Sequence, residues 1–296
     1  MDNENKKVIL AYISVCIFWG STYLAIRIGM KDTNPAIFGA LRFIAVGIIM
    51  LLFTSLKGYK HPTNKKDIIK ISVVGLLLLL LGNGLLMYGE KKVDSGIACL
   101  VMSTIPLFIA LLEFLIFKNR RLDYKAFLGL LIGFGGVFYL ITSVNTIVSF
   151  DIKYTLIILC ASFSWALGTV YSKTFSTEGS IYSIIGIQNL SGGLGLLVFS
   201  ILSGNIHNIY FTKSSFLALV YLITFGSIIG YSSYVYIMQK WPATKAGTYA
   251  YINPVVAVIL GAVILDEYIS FSVIISMCII LLGVFMVQKS KVKNIE

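Results

Sequence analysis

MYGEKKVDSGIACLVMSTIPLFIALLEFLIFKNRRLD (residues 87–123) and YIMQKWPATKAGTYAYINPVVAVILGAVILDEYISF (residues 236–271) are two versions of one segment. Each sets a proline in a long apolar run between polar ends. Placing Pro106 on Pro254 offsets the chain by 148 residues. The same offset pairs Tyr88 with Tyr236, Ala98 with Ala246, Gly135 with Gly283, Gly20 with Gly168 and Tyr23 with Tyr171. The chain therefore reads as two similar halves, residues 8–142 and 152–288.

What surrounds the repeat is apolar. Of the 296 residues, 57% are hydrophobic and 12% charged, and the mean hydropathy is +0.88. Soluble domains carry about 25% charged residues, so the excess calls for a bilayer. About 20 helical residues cross the hydrocarbon. Ten runs approach that length: 8–29, 35–56, 68–88, 93–117, 124–142, 152–173, 181–203, 215–238, 244–265 and 269–288. Helix is the expectation, because lipid-exposed strands outside a closed barrel strand their backbone groups, and barrel strands would alternate polar and apolar residues. The charged start Met1–Lys7 leads into a run too long for a signal-peptide core, so that run is expected to be retained as the first span.

Loop charge orients the chain. With the N-terminus cytoplasmic, 17 of the 24 Lys and Arg fall on that side, five on the other, and Arg27 and Arg42 within spans. The positive-inside rule then puts both termini in the cytoplasm of a multi-pass plasma-membrane protein. Five spans per half is an odd number, so the second half inserts upside down. Inverted repeats are a common plan of secondary transporters, whose site lies near midplane between the halves.

Other classes find little support. The net charge of +11 is scattered between apolar runs, which argues against nucleic acid. Cys16, Cys99, Cys160 and Cys278 lie in apolar runs and read as small buried hydrophobes. His61 and His207 fall in separate loops, so neither a metal nor another cofactor is expected. No nucleophile, zinc or phosphate-binding motif occurs, so the chain is not expected to be an enzyme. The expected partners are the bilayer and a small-molecule substrate. Gly129/Gly133 and Gly226/Gly230 form GxxxG, which signals close helix packing; a monomer or weak homodimer is expected.

FWGSTYLAIRIG (18–29), GALRF (39–43), TIPLF (104–108) and TYAYINPVVAVILGAVILDE (248–267) resemble the EamA-type transporters of the drug/metabolite transporter superfamily. The likeness runs over roughly residues 8–288. It implies ten helices in two EamA repeats, small-metabolite traffic that is usually export, and a cavity lined by spans 1, 3, 4, 6, 8 and 9. One departure is visible: the second repeat has Asp266-Glu267 after its fourth helix, whereas the first has Asn119 at the place of Glu267.

On those spans the candidate substrate contacts are Trp19, Tyr23, Asn83, Tyr88, Trp165, Tyr171, Tyr231, Tyr234, Tyr249, Tyr251 and Asn253, with Gln188 and Asn189 of span 7 weaker. Aromatic faces suit apolar or cationic groups, and buried amides need partners; packing or an interfacial belt is the other reading. Arg42, inside span 2, is either a carboxylate anchor or a structural pair. Glu113, inside span 4, is a proton-coupling site, the partner of Arg42 or Arg27, or a carboxylate near the membrane surface. Pro106 and Pro254 read as kinks or hinges beside the cavity. Glu90, Lys91, Lys92, Asp94, Asp266 and Glu267 read as solvated loop charges or as a gate. The leading reading is a secondary carrier exporting amino acids or related compounds by alternating access. A multidrug exporter of the same fold stands beside it, and a channel behind both.

Overall fold

Each long apolar run becomes a helix because lipid leaves it no other way to satisfy its backbone, and several start on a capping side chain. Asn34 accepts from the Ala36 amide at 2.9 Å, and Pro35 sits in the first turn, where its missing N–H is not needed. Asn64, Asp151, Ser180 and Thr212 cap later helices in the same way. The computed structural model describes residues 3–116, 120–121, 124–143, 151–204, 210–241, 249–289 and 293–294. Asn119, His207 and the expected start of the ninth span (244–248) lie outside the described residues.

Every described element longer than two residues is helical. The rods are α1 (Asn3–Gly29), α2 (Pro35–Leu56), α3 (Lys65–Gly89), α4 (Ser95–Ile116), α5 (Tyr124–Ser143), α6 (Ile152–Ser172), α7 (Ile181–Leu202), α8 (Lys213–Tyr221 continuing through Gly230–Lys240), α9 (Tyr249–Leu265) and α10 (Phe271–Lys289). Among the described residues nine helices are long and apolar enough to span a membrane; α9, with 17 residues, is a shorter apolar helix. The outer surface is apolar: Leu10, Phe138, Val263 and Phe271 are each more than 60% exposed. A soluble protein rarely shows so much apolar surface. Cys160 and Cys278 also sit on this exposed surface, so only Cys16 and Cys99 are the buried hydrophobes expected of all four.

Helix pairing respects an exchange of the halves. α1 packs on α8 and α9, and its counterpart α6 packs on α3 and α4; α2 pairs with α7, and α5 with α10. Both self-paired contacts rest on glycine. A Cβ on Gly283 of α10 would lie 2.4 Å from the Gly133 amide nitrogen of α5, and one on Gly47 would lie 2.7 Å from the Leu190 amide nitrogen. The Gly129/Gly133 motif is thus used within the chain. One end of the bundle carries the start of α1 and the ends of α8 and α10, since Lys240 pairs with Glu4 and Tyr251 donates to Gln288 at 2.7 Å. We call it the terminal end, and the opposite one the far end.

The two rods that carry the paired prolines, α4 and α9, differ. α4 breaks at Ser103–Thr104, whose hydroxyls bond the Leu100 and Val101 carbonyls. Pro106 therefore lies in the first turn of a new helix, Ile105–Ile116, whereas Pro254 lies inside α9. The two prolines do different things: one restarts a helix and the other interrupts a ladder.

If backbone contact holds α5 to α10, Gly283→Ala should lower unfolding stability by about 1–3 kcal/mol. Gly135→Ala should change it little, because nothing lies within 4 Å of a Cβ there. Thermal unfolding in detergent reads both; equal effects would contradict the packing account.

Candidate functional site

Arg27 ends α1 at the far end. Its Nη2 meets Asp94 Oδ1 at 2.9 Å and its Nε meets Glu267 Oε1 at 3.4 Å, while Nη1 donates to the Val93 carbonyl. The Asp94 and Glu267 side chains are each only 8% exposed. Glu267 also caps α4, accepting from the Ser95 amide (2.9 Å), the Ser95 hydroxyl (2.9 Å) and the Gly96 amide (3.2 Å). Carboxylates suit helix N-termini, where amides and the dipole face them.

The local chain explains how Glu267 gets there. Asp266 takes a left-handed backbone with φ 54°, which turns the chain back after α9. The Glu267 carboxylate then lies over Gly261, where a Cβ would stand 2.3 Å from Oε2. A side chain of the second half thus caps a helix of the first while Arg27 holds both. Lys91, Lys92 and Asp266 are exposed, as solvated loop charges are, whereas Asp94 and Glu267 are buried, as the gate reading has them. Glu90 is the extreme case: it is 1% exposed, and neither carboxyl oxygen has a hydrogen-bond partner among the described residues.

Beneath this closure lies a cavity of about 810 Å³ that runs toward the terminal end. Tyr23, Cys99 and Leu86 line it, as do Glu113, Lys173 and Gln288 near the ends of α4, α6 and α10. Neither Arg27, Glu90, Asp94 nor Glu267 borders it. This conformation is shut at the far end and reaches the terminal end.

The cavity wall is aromatic on one side. Trp19 packs on Tyr234 (5.2 Å between ring centroids) and edge-on to Tyr249 (5.1 Å), and Tyr231 follows at 6.2 Å from Tyr234. Asn253, its amide oriented to suit its neighbours, donates to the Cys16 and Tyr249 carbonyls at 3.2 Å. On the other side Trp165 lies beside Gly82, and Asn83 borders the space. Arg42 is 6% exposed. Its Nε and Nη2 donate to Ser227 Oγ at 3.3 and 3.2 Å, and its guanidinium sits 5.0 Å from the Phe43 ring centre. Its Nη1 is buried without a partner among the described residues.

Symmetric π-helical segments, Leu76–Asn83 in α3 and Leu222–Ile229 in α8, shape this wall. A π turn loosens the i→i−4 ladder and is frequent at functional sites. In each, a carbonyl is met by a donor from the other half. Ser164 of α6 donates to Leu77 at 2.9 Å, and the Trp19 indole of α1 donates to Gly226 at 3.1 Å. Gly82 and Gly230, separated by the repeat offset, leave room for Trp165 and Trp19.

The structure brings Trp19, Tyr23, Asn83, Trp165, Tyr231, Tyr234, Tyr249, Asn253, Arg42, Glu113, Pro106 and Pro254 to this cavity, with Gln188 and Asn189. Tyr88 is outside it, 44% exposed and 5.5 Å from the Tyr154 ring. Tyr171 is also outside, packed on Phe175. Glu113 pairs with Lys173 at 2.8 Å near the terminal mouth, while Arg27 bonds Asp94 and Glu267 and Arg42 bonds Ser227. Ser227 and Gly82 carry weight that the sequence reading did not give them, and Gly230 and Glu90 carry more than the helix packing and the loop charge or gate expected of them. The glycine pair alone had a signal, its 148-residue spacing. Among the described residues no group of three His, Cys, Asp or Glu could hold a metal ion.

Compared with known proteins, the chain matches the EamA-like transporter family twice, over residues 6–142 and 152–288. It is 35% identical to the uncharacterized inner membrane transporter YedA of Escherichia coli (strain K12), over 95% of this chain and 90% of that one. It is 28% identical to the uncharacterized transporter YoaV of Bacillus subtilis (strain 168), over 95% and 96%. A solved crystal structure shares the fold with a TM-score of 0.67 at 20% identity, covering 95% of this chain and 96% of its own.

If Glu267 ties the halves at the far end, Glu267→Ala should open that end. Spin labels on Lys92→Cys and Tyr268→Cys, both exposed there, should move to longer separations in pulsed EPR with the native cysteines replaced. An unchanged distribution would show that the network does not hold the closure.

Proposed function

We propose that this chain, which belongs to the EamA-like transporter family, exports small carboxylate-bearing metabolites, amino acids or their relatives, by alternating access. That it is a multi-pass membrane transporter of this family follows from the apolar helices and the relatives. The cargo and the direction are our reading.

Arg42 carries it. A buried guanidinium with one nitrogen unmet, on the wall of a central cavity, is an incomplete site. Arginine matches a carboxylate with two parallel hydrogen bonds, and a substrate carboxylate would complete what Ser227 begins. The Trp19, Tyr234 and Tyr249 rings offer faces to an ammonium or an apolar side chain. The loop lysines and arginines support both termini inside, so the open end would face the cytoplasm and load substrate for export. Each half supplies half of the cavity wall, so a monomer suffices and a weak homodimer would add no residue to the site.

The aromatic wall also favours a second reading, export of amphipathic toxic compounds. Arg42 separates the two, because an amphipathic cation does not need it.

Flux of labelled amino acids from liposomes holding the purified protein tests the proposal. Arg42→Gln should lower flux more than tenfold, since a hydrogen bond to a charged group is worth about 1.5–3 kcal/mol. Ser227→Ala should lower it several-fold. No flux above empty liposomes for any common amino acid, or full flux in Arg42→Gln, would sink the carboxylate reading.

A further inference from the structure

The far-end closure holds one group that its network does not use. Glu90 follows the last turn of α3 at Gly89 and turns its carboxyl inward. Both oxygens are buried and neither has a hydrogen-bond partner among the described residues. An ionised carboxylate in that position would be costly, so the closed state favours the acid form. Burial pushes the Glu90 carboxyl well above the usual carboxylate range, and the Glu267 charge adds to this, while Arg27 and Arg42 pull it down.

The groups facing Glu90 come from every element around it. α1 contributes Arg27 and Tyr23, and α2 contributes Arg42. α4 contributes Cys99, and the turn after α9 contributes Glu267. Asp94 is reached through Arg27. α6 packs beside Gly89 and brings Tyr154, which faces Tyr88. Near Glu90, then, the Arg27 guanidinium already serves two carboxylates, and an ionised Glu90 would be a third.

We propose that Glu90 is the proton-binding site of this carrier: protonated, it lets the far end stay shut; ionised, it draws Arg27 from Asp94 and Glu267 and opens that end. A proton enters from far-end solvent while that end is open. It leaves toward the cavity past Tyr23 and Cys99, which line the cavity and lie within the field of the Glu90 charge. One proton thus moves from the far end to the terminal end as one substrate moves the other way. The role as an exchange partner rests on the export reading; the proton-linked closure does not.

The sign of the pH dependence tests it. The closed state binds the proton more tightly, so closure holds at low pH and is lost as pH rises through the raised Glu90 value. A closure governed by its ion pairs alone would do the reverse and open at low pH. The Lys92→Cys/Tyr268→Cys spin-label pair, in nanodiscs without substrate, should report short distances at pH 5 and a growing long-distance population toward pH 9. Glu90→Gln should stay short throughout, and Glu113→Gln should titrate as the parent does. A flat parent profile, opening at low pH, or a Glu90→Gln profile that titrates like the parent would overturn the proposal. Infrared spectra of the unsubstituted protein give a second check that needs no variant. A protonated-carboxyl carbonyl band should be present while the far end is shut and weaken as rising pH opens it, and a band that does not follow the closure would also overturn it. A titrating closure without amino-acid flux would sink only the cargo, and flux with a closure that does not titrate would sink only Glu90.

Discussion

Arg27 is where the two halves meet under charge. It ends the first helix, reaches Asp94 at the start of the fourth and takes Glu267 from beyond the ninth. Buried ion pairs of this kind are poor sources of net stability, because desolvating the partners offsets most of their attraction. They do have few alternative geometries. Removing or repositioning one partner leaves the others buried and unpaired, which makes such a cluster an all-or-none closure. The cavity below it depends on that closure for having one mouth and not two.

The rest of the molecule is arranged so that such a closure can be undone without unfolding. α2 with α7 and α5 with α10 are held by glycines that bring backbones into contact, and these contacts map onto themselves when the halves are exchanged. The helices between them are irregular where they border the cavity. α3 and α8 loosen into π turns, and α4 breaks before Pro106. In lipid a loosened backbone is tolerated only where it is buried in protein or lines a watery space. Here Ser164 and Trp19, each from the opposite half, take up carbonyls of the loosened turns.

Much of this was legible in the residues. Long apolar runs state their own solvent, and a repeat of 148 residues states its own pairing, so helices and halves could be read directly. Trp19, Trp165, Asn83, Asn253 and Arg42 could be singled out because a polar or amphipathic side chain deep in an apolar run needs a reason. The failures share a cause. In a helix apolar all round there is no periodicity to say which face points inward, so Tyr88 and Tyr171 could not be told from Tyr23. A charge at a helix end looks solvated until its partner is known. The partner of Asp94 lies on α1 and that of Glu113 on α6, 60 residues away. The left-handed turn at Asp266 that folds Glu267 back has no signature in an Asp-Glu pair.

The account holds that one mouth opens only as the other shuts. Distances across both ends, measured on the same protein under the same conditions, test this most directly. One labelled pair would span the far end, and another, at Thr174 and Lys289, would span the terminal mouth. Carried by alternating access, the far-end pair lengthens in the same fraction of molecules in which the terminal pair shortens. A population with both ends open would be a pore, and it would contradict the account.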